Sequence, residues 1–272
     1  MAESDRKPLH RDEEAAAETS YLVSHDEDAV EVVIWLRDRK GIHVNLEGQG
    51  HLAEAADLFE IIVSHRGLPK DSHNIFSLWL VSPLLELRLK DKHKPFHFAQ
   101  LWDEFCAMYT DAKAEEISRD EPVVMFQRNV FLSLEDEMRI SNDSALALLY
   151  YEAKYNVIEG RYVMNREDYD ELAGIQALIQ YRFYTEGEHT EEHYKKDIKM
   201  FYPAHLYKPS KPSIIPGAKK NKELRLEESL AASHKAISRQ YEEEDYEEIL
   251  PTLFLRYLKT CWKYPFYGSY IV

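Results

Sequence analysis

The sequence predicts an α+β protein of two units, the first built from strands and short helices and the second from helices alone. Three observations lead there. Apolar residues alternate at Val30, Val32, Ile34 and Leu36 and again at Ile42, Val44 and Leu46, the period of strands. Leu146, Leu149, Tyr150, Ala153 and Val157 recur at offsets 0, 3, 4, 7 and 11, the period of a helix with one buried face. With 272 residues, 31% of them charged and 12% aromatic, the chain can bury two compact cores and is unlike a disordered one.

Taken in order, residues 1–28 are polar and acidic and read as a flexible tail. At Ala29 the texture changes. The two alternating runs flank Arg37–Gly41 and predict a hairpin, with Gly41 supplying a positive φ. Leu52, Ala55, Phe59 and Ile62 keep helical spacing until Gly67 and Pro69 end it. Ile75–Val81 and Leu84–Leu89 read as strands broken at Ser82–Pro83. A short helix over Leu101–Tyr109 precedes a last strand at Val123–Leu132, which closes a first unit of residues 29–132.

The second unit, 133–263, opens on the helix around Leu146, with Asn142 or Ser144 as its cap. Gly160 and the polar run around Asn165 interrupt the pattern. A second helix follows, with Leu172, Ile175, Ile179 and Phe183 at offsets 0, 3, 7 and 11, Asn165 as N-cap, and Glu167 and Asp168 in its first turn. Two such helices pack antiparallel and need further partners to complete a core. Residues 208–222 carry five lysines, three prolines and no acid, so a mobile loop is expected over 205–221. Helix resumes over Lys222–Tyr241. A final helix runs from about Asp245 to Trp262, with Pro251 near its start, where a missing N–H is tolerated.

Composition narrows the function. A net charge of -15 argues against general nucleic-acid binding, which needs a cationic face. Two cysteines, Cys106 and Cys261, support neither a disulfide framework nor a cysteine-based zinc site. Residues 1–14 hold no apolar core of a signal peptide, and no apolar run approaches the roughly 20 residues of a membrane span. A cytosolic address is the expectation.

The sharpest catalytic-looking string is His189-Thr190-Glu191-Glu192-His193, which satisfies the H-x-x-E-H pattern of a zinc hydrolase. A zinc ligand set needs a dry, apolar support, and these neighbours are polar, so a solvated loop or helix start is expected and no metal. His93 and His97 lie beside Pro95, Phe96 and Phe98 and read as loop histidines packed on rings. Cys106, with Phe105 and Met108, reads as a buried structural thiol. Asn142–Ser144 matches a glycosylation sequon, but helix capping is preferred. Phosphate-cradling loops, a nucleophile elbow and an EF-hand loop are absent, so no catalytic residue and no cofactor are assigned. Lys208, Lys211, Lys219, Lys220 and Lys222 are the candidate contacts for anionic lipid or a partner, at about 1 kcal/mol per cation near a membrane. Lys90, Lys92 and Lys94 form a smaller patch. Tyr150, Tyr151 and Tyr155 read as the edge of a core, their hydroxyls reaching solvent.

Several segments, IFSLWLVSPLLELRLKDKHKP, FQRNVFL, LLYYEAKYNVIEGRY and YPFYG, resemble the FERM family in their order across roughly residues 29–272. The resemblance implies a ubiquitin-like β-grasp lobe (F1), an acyl-CoA-binding-protein-like four-helix lobe (F2), and residues 264–272 as a stub of the PTB/PH-like third lobe (F3), which does not follow. A chain ending there reads as a shortened form of a longer protein. Functionally, the resemblance implies a non-catalytic scaffold at the inner face of the plasma membrane that grips cytoplasmic tails of membrane proteins. The implied tails are of the iRhom type, in a sheddase complex held at the cell surface, and of the Wnt co-receptor type, with negative regulation of Wnt signalling. A small-GTPase effector of the Rap type is the alternative. The residues of a peptide groove are not readable from the sequence.

Overall fold

The computed structural model describes residues 22–26, 29–207 and 225–269. The chain divides into two compact units, residues 1–131 and 132–272.

The first unit is a mixed sheet over one long helix. Strands β1 (Leu22–Asp26), β2 (Ala29–Leu36), β3 (Gly41–Glu47), β4 (Phe76–Val81), β5 (Glu86–Arg88) and β6 (Val123–Arg128) form it. β2 pairs antiparallel with β3 along one edge; β1 takes Ala29–Val32 and β6, in parallel, takes Ile34–Leu36. β6 continues antiparallel to β4, and β4 to β5. A hairpin, a helix, two strands and a last strand returning parallel to the first make a ubiquitin-like β-grasp. Reading residues 1–28 as one tail is therefore corrected at Leu22–Asp26. That segment is too polar to announce a strand, yet its backbone pairs with the half of β2 that β6 leaves open. Residues 1–21, 27 and 28 lie outside the described residues.

Helix α1 (Ala55–Arg66) buries Leu58, Phe59, Ile62 and Val63, while Leu52, expected within it, lies in a preceding 3-10 turn and is exposed. Asp57 accepts from the Glu54 amide at 2.9 Å at its start, and Gly67 closes it at φ 61°. Phe126 joins helix to sheet, its ring 5.3 Å from Phe59 and 4.9 Å from Phe76. Each such ring stabilises the core by about 1.5–3 kcal/mol. The expected left-handed residue of the hairpin turn is Arg39, at φ 65°, and not Gly41. Gly41 is there for space: a Cβ would stand 2.7 Å from Val33 Cγ1. The short helix foreseen at Leu101–Tyr109 is α3 (Trp102–Tyr109); an unforeseen helix, α2 (Pro95–Gln100), precedes it, and the single turn α4 (Ala114–Ile117) follows.

The second unit is all-helical. After one turn, α5 (Leu134–Glu137), come α6 (Asp143–Ile158) and α7 (Arg166–Tyr181). The short helices α8 (Glu191–Lys195) and α9 (Ala204–Tyr207) follow, then α10 (Leu226–Tyr241) and α11 (Tyr246–Cys261). Asn142, Asn165, Thr190 and Asp245 cap α6, α7, α8 and α11 through side-chain oxygens. Leu149, Tyr150, Leu172, Ile175, Leu230, Leu253 and Tyr257 form the core. Contacts run α6 to α11, α11 to α7 and α7 to α10, which makes four long helices around one interior. Gly174 lets α7 approach α10: a Cβ there would lie 2.8 Å from the Ser233 carbonyl carbon.

Four expectations change. Helix α7 ends before Phe183 and buries Leu178 instead of Ile179, which is half-buried. Pro251 is the sixth residue of α11, past the first turn, so the Glu247 carbonyl loses its helical partner, but Glu247 is exposed and water can serve it. Residues 205–207 of the expected loop belong to α9, and 208–224 lie outside the described residues. The supposed third-lobe strand over 264–269 is a run of turns bonded to the helices: Tyr264 donates to Asp168, and Tyr267 and Trp262 donate to the buried Glu137. Two of the aromatic residues that suggested a strand, Tyr264 and Tyr267, serve here as hydrogen-bond donors. Among the described residues no helix is long and apolar enough to cross a membrane.

Candidate functional site

At the C-terminal end of α7, Arg182 takes φ 65° and ψ −158°, a backbone region essentially limited to glycine. Side chains hold this connection to α10. The Arg182 carbonyl accepts from His234 Nε2 at 2.7 Å, and the Tyr184 amide donates to Ser238 Oγ at 3.0 Å. His234 and Ser238 lie four residues apart, on one face of α10. The Thr185 amide donates to His189 Nδ1 at 2.8 Å, and the Arg182 guanidinium lies 4.5 Å over the Tyr246 ring.

Around these bonds sits a cluster of rings. His189 is 5.2 Å from His193 and 5.0 Å from His234 between ring centroids, and Tyr181, Tyr184 and Tyr194 pack against them. Tyr194 and His234 are fully buried, with the hydroxyl 2.7 Å from His234 Nδ1. Since the Arg182 carbonyl only accepts, the His234 proton sits on Nε2, and the Tyr194 hydroxyl donates to Nδ1. Burial pushes His234 down to about 4 against the raising effect of the Arg182 carbonyl, and the neighbouring imidazoles add to the fall. Burial, then His193, lowers His189 as well.

Beside this corner opens a cavity of about 170 Å³ lined by Phe183, Tyr184, Glu186, Lys235, Ser238, Arg239 and Glu242. Lys235 Nζ is 3.6 Å from Glu186 Oε2 and 5.3 Å over the Tyr184 ring. Two rings, a hydroxyl and both signs of charge line it.

The structure sorts the sequence-predicted residues. The paired histidines are corrected: they stand among aromatic rings, not in a solvated stretch, because α8 folds its polar-looking sequence onto α10. Thr190 does start a helix there. Among the described residues no group of three or more His, Cys, Asp or Glu is placed to hold a metal ion. His93 stacks on Phe98 at 4.4 Å, as expected, while His97 sits within α2. Cys106 is fully buried, and burial with Asp120 raises its thiol to about 11. Tyr150 is corrected from core edge to core interior, 4.9 Å from Phe254; Tyr151 and Tyr155 are half-buried. Lys208, Lys211, Lys219, Lys220 and Lys222 lie outside the described residues. His234 and Ser238 escaped the sequence reading. Leu230, His234 and Ile237 stand at offsets 0, 4 and 7, which places His234 on the buried face and is the signal that could have found it.

The model of the FERM central domain matches residues 135–271. The chain belongs to the FERM family. Its helical unit is the FERM central lobe. FERM domain-containing protein 8 of Xenopus laevis is 32% identical over 248 residues, covering 90% of this chain and 54% of that protein. The human FERM domain-containing protein 8 is 31% identical over 243 residues, covering 88% and 52%. The chain thus spans about half the length of these relatives. Among solved structures, the human Myosin 7b C-terminal MyTH4-FERM domain in complex with harmonin-a PDZ3 aligns with TM-score 0.60 at 14% identity, covering 89% of this chain and 43% of that one. The FERM and C-terminal domain complex of Drosophila Merlin gives 0.53 at 16%, covering 85% and 64%. These likenesses establish the fold.

Proposed function

We propose that this FERM chain is a non-catalytic adaptor that grips the cytoplasmic tails of membrane proteins at the inner face of the plasma membrane. The observation that carries the reading is the FERM central-domain match over 135–271, joined to relatives about 30% identical across nine-tenths of the chain. The tails we propose are of the iRhom type, so that the adaptor keeps an iRhom–sheddase complex at the cell surface, and of the Wnt co-receptor type, where binding restrains signalling; likeness to FERM domain-containing protein 8 supports this reading. Two solved relatives were captured with a PDZ3 domain and with a C-terminal domain, which supports protein recognition as the trade of this fold. The lysines at 208, 211, 219, 220 and 222 add contact with anionic lipid or with the partner. No bond is made or broken.

The test is a titration of the purified chain with an iRhom tail peptide, a Wnt co-receptor tail peptide and a Rap-type GTPase loaded with GDP or a GTP analogue. Saturable binding of a tail peptide is expected. Binding that appears only with the GTP-loaded GTPase would replace the adaptor reading with an effector one.

A further inference from the structure

Three imidazoles of the central lobe, His189, His193 and His234, have no part in the reading above, and the hydrogen bonds of His189 and His234 can be satisfied in one protonation state only. His189 Nδ1 accepts from the Thr185 amide at 2.8 Å, so its proton sits on Nε2. Adding a proton at Nδ1 would set N–H against N–H and break that bond. His234 accepts the Tyr194 hydroxyl at Nδ1 and donates to the Arg182 carbonyl from Nε2, both at 2.7 Å. Adding a proton there would turn Tyr194 into the acceptor and strand its own hydroxyl proton on a fully buried ring. His193 Nε2 is buried without a hydrogen-bond partner.

Little nearby would welcome the charge. From α7, Tyr181 gives its hydroxyl to Asp197 at 2.9 Å. In the connection to α8, Glu186 faces Lys235 of α10, and Glu188 is the acid whose field favours a charged His189. On α8, Glu191 pairs with Arg225 and Glu192 with Lys195. None of the three imidazoles is ion-paired among the described residues. Two protonated rings would instead stand about 5 Å apart. Protonation breaks the Thr185–His189 bond inside the connection and the Tyr194–His234 bond that ties α8 to α10, while the His234 Nε2 donation to the Arg182 carbonyl survives, and backbone strain at Arg182 favours release.

We propose that His189 and His234 make the segment 182–197 a proton-operated latch, closed on α10 when both rings are neutral and released in mild acid while α6 and α11 stay folded. Release would remodel the neighbouring cavity, since Tyr184 and its bond to Ser238 belong to both. The ligand of the switch is the proton, and the regulated surface is the cavity rim. The lowered His189 and His234 agree with this wiring.

Hydrogen exchange of the intact chain, read by mass spectrometry at pH 7.5 and 5.5 and corrected for intrinsic rates, tests it. For a ring of ordinary pKa near 6.5 in the open state, opening of 182–197 should rise about tenfold per responding histidine, and about a hundredfold for two. Amides of α6 and α11 should not change. An exchange ratio that stays flat over 182–197, or that rises equally in α6 and α11, overturns the latch. Imidazole nitrogen shifts of the wild-type chain give a second measurement free of any variant. His189 and His234 taking up protons near pH 6.5 with protection of 182–197 intact would also overturn it. Where His189→Phe folds, it should reduce the pH response, and a full response in that variant counts against the proposal.

Discussion

Asp120 shows how a single buried acid settles two neighbours. It accepts from Trp102 Nε1 at 2.9 Å and from Cys106 Sγ at 3.6 Å in the first unit. Replacing it, Asp120→Ala, strands an indole N–H in the interior and should cost about 1–3 kcal/mol, read as a lowered midpoint in urea. With its thiol raised to about 11, Cys106 holds roughly one part in a thousand thiolate at pH 8. Alkylation of the native chain at pH 8 should therefore be far slower than that of a free thiol, and should accelerate on unfolding. That Cys106 is inert was legible from its apolar neighbours. That Asp120 faces it was not, because their fourteen-residue separation is spanned by the end of α3, the single turn α4 and the short links beside it, too little helix for a period to be read.

At the scale of elements, Gly174 sets how close α7 comes to α10. Two effects oppose each other in Gly174→Ala. Helix propensity gains about 1 kcal/mol. Against it, the new Cβ meets the Ser233 backbone at 2.8 Å, and main chain gives way less readily than a side-chain tip. Overpacking of this kind costs about 1–3 kcal/mol, so net destabilisation of about 1 kcal/mol is expected, and a larger loss for Gly174→Val. Thermal melts of both variants check the order. The C-terminal turns offer a second case. Glu137→Ala leaves the Trp262 indole and the Tyr267 hydroxyl without this acceptor, and Trp262 fluorescence should move to the red as residues 262–269 loosen. An unshifted spectrum would contradict the bonding described here.

Across the molecule, pH reports on burial. His234 is lowered to about 4 in the folded state against about 6.5 unfolded. A folded-state pKa depressed in a histidine means that the unfolded chain binds the proton first as pH falls. Its stabilisation is present in full above about 6.5 and is lost progressively between about 6.5 and 4. The loss amounts to about 3 kcal/mol by pH 4 for this one group, and His189 adds to it in the same direction. Urea midpoints should thus fall from pH 7 to pH 5, and His234→Phe should flatten the profile while lowering stability at pH 7 through the unpaired Tyr194 hydroxyl. A wild-type midpoint that is level between pH 7 and 5 would contradict the buried neutral ring.

The sequence by itself determined the α+β class, the hairpin, the four long helices and the caps of two of them, because each of these is written within one or two turns of chain. Asn142 and Asn165 could be placed before any helix was seen to pack. Only the tertiary structure decided that His189 meets His234, that Arg182 is held in a glycine-like conformation, and that the final aromatic residues reach back to Glu137. Those contacts join residues 45, 52 and 125 positions apart, or fix a backbone through a distant donor. Period and capping carry no information at that range; burial and hydrogen-bond satisfaction do, and they exist only once the chain has closed on itself.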